Sequence, residues 1–240
     1  GKIEKAGSEC GEEGLREGDR VFTYGKHAGA TYADTVCVAV PEGLPPEKAA
    51  FARIAAVSIT ALRCSEIEVG DHVAVFGAGP VGNFAAQFAR LAGARVCVID
   101  PSPKRRNIAE TCGADFTAAP GEGLADDLNA FVPGGRCTTV IDATGVPSVI
   151  MEAAKFVGRQ GELILLGSPR GAYAADVTPF LNRTHLCPDV VTLKGAHEWR
   201  YPVLKRDAVF GKHSIERNIE IIFKAMIEKK LIVEPLITHH

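Results

Sequence analysis

A turn carrying three glycines, set between an apolar run and an amphipathic one, constrains this chain more than any other feature. His72 is followed by Val73-Ala74-Val75-Phe76, then by Gly77-Ala78-Gly79-Pro80-Val81-Gly82. The first run is short and lacks polar alternation, as expected of a parallel strand covered on both faces. Pro80 falls where a helix would begin, a position at which its missing N–H costs nothing. Val81, Phe84, Ala85, Phe88 and Ala89 then recur at helical spacing, and Gly93 closes the segment. A second apolar run, Val96-Cys97-Val98-Ile99, ends in Asp100. With 25 glycines in 240 residues, chance supplies about 0.3 such glycine spacings. The spacing alone is therefore weak, and its setting of strand, turn, helix and strand gives it weight.

Each residue of the turn has a chemical reason to be there if the ligand is a dinucleotide. Gly77 permits the tight turn, Gly79 keeps side-chain atoms away from a pyrophosphate, and Gly82 lets the helix lie close to the strand. Pro80 and Val81 open the helix, whose N-terminus offers unpaired N–H groups and partial positive charge to phosphates. Asp100 lies 18 positions after Gly82, where a carboxylate accepts hydrogen bonds from a ribose diol and repels a 2′-phosphate. The expected cofactor is NAD. An unliganded βαβ unit is the competing reading.

Strand and helix patterns alternate between about residues 70 and 195, which predicts a doubly wound parallel α/β domain, the Rossmann class. Further strands are expected at Asp115–Ala118, Thr138–Asp142, Glu162–Leu166 and Val190–Leu193, with helices at Gly123–Phe131 and Pro147–Val157. Before it, Gly18-Asp19-Arg20-Val21-Phe22 reads as a turn into a strand, Tyr32–Val40 as a half-buried strand, and Glu47–Ser65 as an alanine-rich helix. After it, Ile215, Ile219, Ile222, Phe223, Met226 and Ile227 mark an amphipathic helix.

Charge and cysteine usage exclude several classes. A net charge of −2, with Lys104-Arg105-Arg106 as the densest basic run, argues against nucleic acid as a partner. No apolar run reaches membrane-spanning length, and Gly1-Lys2-Ile3-Glu4-Lys5 is no signal-peptide core. The seven cysteines include no C-x-x-C pair, so neither a disulfide framework nor a structural zinc site is expected. A cytoplasmic location fits that usage.

The motifs resemble those of the medium-chain dehydrogenase/reductase superfamily, the zinc-type alcohol and polyol dehydrogenases. Carrying the resemblance are Gly18-Asp19-Arg20-Val21, Ala30-Thr31-Tyr32-Ala33, Val40-Pro41-Glu42-Gly43-Leu44, the turn Gly77 to Gly82, Asp142-Ala143-Thr144-Gly145, Leu165-Leu166-Gly167 and Lys194-Gly195-Ala196. It implies a partial GroES-like catalytic domain and linker helix at 1–57, the NAD-binding domain at 58–195, and the start of a return to the catalytic domain at 196–240. The chain is accordingly expected to be a fragment lacking both ends of the family's full length. The resemblance also adds Arg105 near the adenosine ribose, Thr144 and Gly145 beside the adenine, Leu166, Gly167 and Ser168 at the end of a strand, and Ala196 and Glu198 at the nicotinamide carboxamide.

The implied activity is hydride transfer between NAD(H) and a small secondary alcohol or carbonyl substrate. A zinc-independent quinone or enoyl reductase and a non-catalytic dinucleotide-binding fragment are the alternatives. Two departures concern metal. Phe22 to Thr31 holds no cysteine where the family carries a structural zinc lobe, and Arg53 aligns with the third catalytic zinc ligand. A guanidinium cannot ligate a cation, so no metal is assigned; His27 is the best lone candidate. No catalytic residue is assigned either. A homodimer is expected through the last strand of the cofactor domain, at about residues 188–194, where Val190, Val191 and Leu193 are apolar.

Overall fold

The computed structural model describes residues 1–7, 14–26, 28–33, 35–205 and 211–238. His27 lies outside the described residues. The chain divides into two compact units, Gly1–Ala56 with Glu198–Lys230, and Val57–His197 with Leu231–His240.

In the first unit, β1 (Val21–Thr23) pairs antiparallel with β2 (Cys37–Ala39), Phe22 standing opposite Val38. The expected strand from Tyr32 is thus only three residues long, and the alternation survives in buried Val36 and Val38. The alanine-rich helix begins as one turn, α1 (Pro46–Ala49), and resumes as α2 (Ala52–Cys64). Helix α8 (Ile215–Ile227) is capped by the Ser214 hydroxyl, which accepts from the Arg217 N–H at 3.1 Å. It buries Ile215, Ile219, Ile222, Phe223 and Met226 as its spacing predicts, whereas Ile227 is exposed. Phe223 meets Phe22 edge-on, with centroids 5.9 Å apart.

The second unit is built on a parallel sheet of β3 (His72–Phe76), β4 (Arg95–Ile99), β5 (Phe116–Ala118), β6 (Cys137–Asp142), β7 (Val157–Leu165) and β8 (Thr192–Gly195). Its order is β5-β4-β3-β6-β7-β8, so the chain reverses direction across the sheet between β3 and β6. In open α/β sheets ligands bind beyond the carboxyl ends of the strands at such a reversal. The helices are α3 (Pro80–Leu91), α4 (Pro103–Thr111), α5 (Leu124–Phe131), α6 (Pro147–Ala153) and α7 (Thr178–His185).

Alternate residues of each strand serve opposite cores, which is why these strands read as unbroken apolar runs. Phe76, Ile99, Val140 and Leu163 pack with Leu124, Leu128 and Phe131 of α5. On the other face Val75, Val98, Ile141 and Ile164 pack with Ala85, Ala86 and Ala89 of α3. Among the described residues, no helix is long and apolar enough to cross a membrane.

Three expectations need correction. Helix α7 falls where no helix was expected; none of its residues is fully buried and Phe180 packs only partly against the core, so its periodicity is weak. The helix expected to run to Val157 stops at Ala153 and tightens into a 3₁₀ turn over Ala154–Phe156. The last strand starts at Thr192 rather than Val190. Val191 is buried in the core beneath α7 and gives its N–H to Arg183 O at 2.9 Å, so only Leu193 of the three apolar residues lies on the edge strand.

Candidate functional site

The three glycines of the turn after β3 are required for different reasons. Gly77 has φ +100°, and a Cβ there would crowd Thr144 Cγ2 at 3.0 Å. At Gly82 a Cβ would lie 1.8 Å from the Gly77 carbonyl oxygen, so close approach of α3 to the turn demands glycine. Gly79 differs. It is the N-cap of α3 with φ −64° and ψ 174°, a conformation open to any residue, and a Cβ would meet no protein atom within 4 Å. Nothing in the protein itself asks for glycine at 79; the open space in front of it does, if that space is to admit a ligand. Pro80 occupies the first helical position as expected. Beside the turn, the Val81 carbonyl accepts a hydrogen bond from the Ser58 hydroxyl at 2.8 Å.

Asp100 follows directly on β4 and is 3% exposed. Its Oδ2 accepts the Ala78 N–H at 2.8 Å, and its Oδ1 accepts the Ser102 N–H at 2.8 Å. One carboxylate thereby ties the glycine turn to the start of α4. A carboxylate has about four acceptor positions, so two backbone bonds leave capacity for a ligand hydroxyl. Arg105 Nη1 lies 3.7 Å from Oδ2 with its side chain largely in solvent, while Arg106 donates to the Asp100 and Pro101 carbonyls.

On the strand next to β3, Asp142 ends β6 fully buried. Its carboxylate accepts from the Thr144 hydroxyl at 2.6 Å, the Thr144 N–H at 3.2 Å and the Gly145 N–H at 3.0 Å. Its carbonyl accepts the Leu166 and Gly167 N–H groups at 2.9 and 2.8 Å. Gly145, at φ +64°, and Gly167 then press backbone against backbone: a Cβ on Gly145 would sit 2.3 Å from Ser168 O, and one on Gly167 2.3 Å from Gly145 N. The structure thus brings Thr144, Gly145, Gly167 and Ser168 together. Leu166 and Ala196 are also near strand ends, but their side chains belong to the core packed against α3.

Glu198 belongs to the first unit. There its carboxylate accepts from the Tyr24 hydroxyl and pairs with Arg53 Nη1 at 2.5 Å. Burial, and then the bond to Glu198, push the Tyr24 hydroxyl far above its ordinary pKa, so Tyr24 stays a donor. The interactions of Asp142 and Tyr24 escaped the reading of the sequence. An acid two residues before Thr-Gly is the mark of a side chain that caps its own turn and would have revealed Asp142; no local pattern announces Tyr24.

The zinc-binding dehydrogenase family model matches residues 80–205, more than half of the chain. Among curated proteins, L-galactonate-5-dehydrogenase of Escherichia coli K12 is 30% identical over 159 residues, 64% of this chain and 47% of that protein. The (R,R)-butanediol dehydrogenase of Bacillus subtilis 168 is 32% identical over 131 residues, 53% of this chain and 37% of that protein. The chain thus spans about half or less of the relatives it matches. Among solved structures, galactitol-1-phosphate dehydrogenase from Escherichia coli superposes with a TM-score of 0.80 at 21% identity, covering 98% of this chain and 73% of that one.

Proposed function

The chain belongs to the zinc-binding dehydrogenase family, and from that membership we propose that it is an NAD(H)-dependent oxidoreductase acting on a small secondary alcohol or its carbonyl. The observation that carries this reading is Gly79, a glycine that faces open space at the mouth of α3 and that no protein contact explains. A pyrophosphate in that space would meet the first-turn N–H groups of α3, including those of Val81 and Gly82. Asp100 would take the adenosine ribose, Arg105 would stand beside it, and Thr144, Gly145, Gly167 and Ser168 would line the opposite wall. Leu166 and Ala196 would contribute backbone groups. When bound, the nicotinamide supplies the hydride carrier; the chain's own residues bind and orient it. The dehydrogenases of galactonate and butanediol support a hydroxyl-bearing substrate.

The family's name implies zinc, and the described residues do not fit it. Among them no three His, Cys, Asp or Glu side chains converge. At the position of the expected third ligand stands Arg53, which has no lone pair to give and is paired with Glu198. No step is routed through a metal.

Titration of the chain with NADH and NADPH, followed by cofactor fluorescence, tests the reading. NADH should bind at least about tenfold more tightly, because a 2′-phosphate would be set against the Asp100 carboxylate. Equal affinities would remove Asp100 from ribose recognition, and absence of binding by both would overturn the dinucleotide reading.

The same reading includes a homodimer. Strand β8 is an edge of the sheet, with Leu193 exposed on it and Val190 exposed just before it. An open strand edge is a template for pairing, and a symmetric second copy would close it. Since Ala196 N–H bonds inward to Leu165 O, strand alternation turns the Leu193 N–H outward. Leu193→Pro should therefore spare the fold and halve the mass in sedimentation to 25.5 kDa. A wild-type chain already monomeric at high micromolar concentration would refute the pairing.

A further inference from the structure

Arg53, Tyr24, Glu198 and Trp199 form a cluster that the dinucleotide reading leaves unused. Arg53 lies in the first turn of α2, where a helix favours acids, and α2 carries none there. Glu198 supplies the negative charge from outside the helix. The pair is lopsided: the Glu198 side chain is 5% exposed and that of Arg53 40%. The carboxylate is thus turned inward and the guanidinium outward, so solvent meets the cation. The Tyr24 ring, with its centroid 4.3 Å from the guanidinium carbon, covers one face of the plane. A guanidinium clamped by Glu198 through Nη1, backed by the Tyr24 ring and 40% exposed presents its remaining N–H donors in a fixed plane. That is the geometry matching two oxygens of a carboxylate or phosphate.

We propose that Arg53 is the receptor for an anionic group, carboxylate or phosphate, on a small hydroxylated ligand, with Glu198 and Tyr24 holding the guanidinium in place. The proposal rests on the function above only in taking that ligand for the substrate; anion binding itself needs no dinucleotide.

Trp199 is the single tryptophan of the chain, and its ring stands edge-on to Tyr24 with centroids 6.0 Å apart. Its emission therefore reports on the cluster without a label. The wild-type chain would be titrated, without cofactor, with glycerate, glycerol 1-phosphate and glycerol, three probes with one carbon skeleton and a carboxylate, a phosphate or no anion. A saturable change is expected with at least one of the two anions, and none with glycerol at tenfold higher concentration. A response to a single anion identifies the group recognised and supports the proposal.

Arg53→Lys keeps a cation beside the buried Glu198 but loses the planar fork, and should bind the anion at least tenfold more weakly. Arg53→Gln should abolish the response; if circular dichroism shows that variant unfolded, the lysine variant decides. Equal responses to glycerol and the anions, no response to any probe, or anion binding unchanged in the folded Arg53 variants would each overturn the proposal. A chain that binds anions through Arg53 yet binds neither NADH nor NADPH would defeat the dinucleotide reading and leave this one standing.

Discussion

Gly79→Val should abolish measurable NADH binding while leaving the chain folded. A valine is compatible with the backbone at φ −64° and ψ 174°, and its Cβ meets no protein atom within 4 Å. The stability loss should stay near 1 kcal/mol, the difference between glycine and a branched residue at an N-cap. The added methyl groups would occupy the phosphate path. Losing two charge-assisted hydrogen bonds of about 1.5 kcal/mol each corresponds to roughly a hundredfold in affinity. Gly82→Ala is the informative contrast, because its Cβ would fall 1.8 Å from Gly77 O and the damage should appear in folding. Unfolding curves and NADH titrations on both variants separate the two. If Gly79→Val binds NADH like the wild type, the turn is only structural.

The second large effect is expected at Asp142. Its buried carboxylate holds one hydroxyl and two N–H groups, and Asp142→Ala would leave those donors without that acceptor. Removal of such an acceptor should cost about 3 kcal/mol or more. For a chain of this size that is a fall in melting temperature of roughly 6–12 °C. NADH affinity should fall with it, because Thr144 and Gly145 lose their tether. Asp142→Asn, which keeps one acceptor oxygen, should lie between. A melting temperature unchanged in the alanine variant would show that the turn is held by backbone packing alone.

Much of the second unit could be read before the structure, because both the sheet and the turn are written locally. Val73 to Phe76 and Val96 to Ile99 are apolar on consecutive residues since each strand feeds two cores. Glycine at 77 answers a positive φ of its own, and glycine at 82 a clash with the Gly77 carbonyl five residues earlier. Helix α7 was illegible for the opposite reason: none of its residues is fully buried, and Phe180 packs only partly against the core. The two-residue break between α1 and α2 likewise falls within a run of alanines and a phenylalanine that suits either continuous or broken helix. The cluster at Arg53 could not be foreseen, because its partners lie 29 residues before it and 145 after it in the chain. Sequence spacing carries no trace of such contacts. Arg53 stood out only as an unsuitable metal ligand, and its pairing with Glu198 needed coordinates.

The ribose role proposed for Asp100, added to its observed hold on the glycine turn, narrows the routes by which the proposed NAD preference could change. Making room for a 2′-phosphate means giving up the carboxylate, and the same carboxylate accepts the N–H groups of Ala78 and Ser102. Alanine or glycine at 100 would release both at once, loosening the phosphate turn in the very step that relieves the repulsion. Asparagine would keep an acceptor for one and set an NH₂ group against the other. A drift toward NADPH therefore requires at least two coordinated changes, one to admit the phosphate and another to re-anchor the turn. Each change alone would be a loss, so the proposed preference would be guarded by a valley rather than by a single residue.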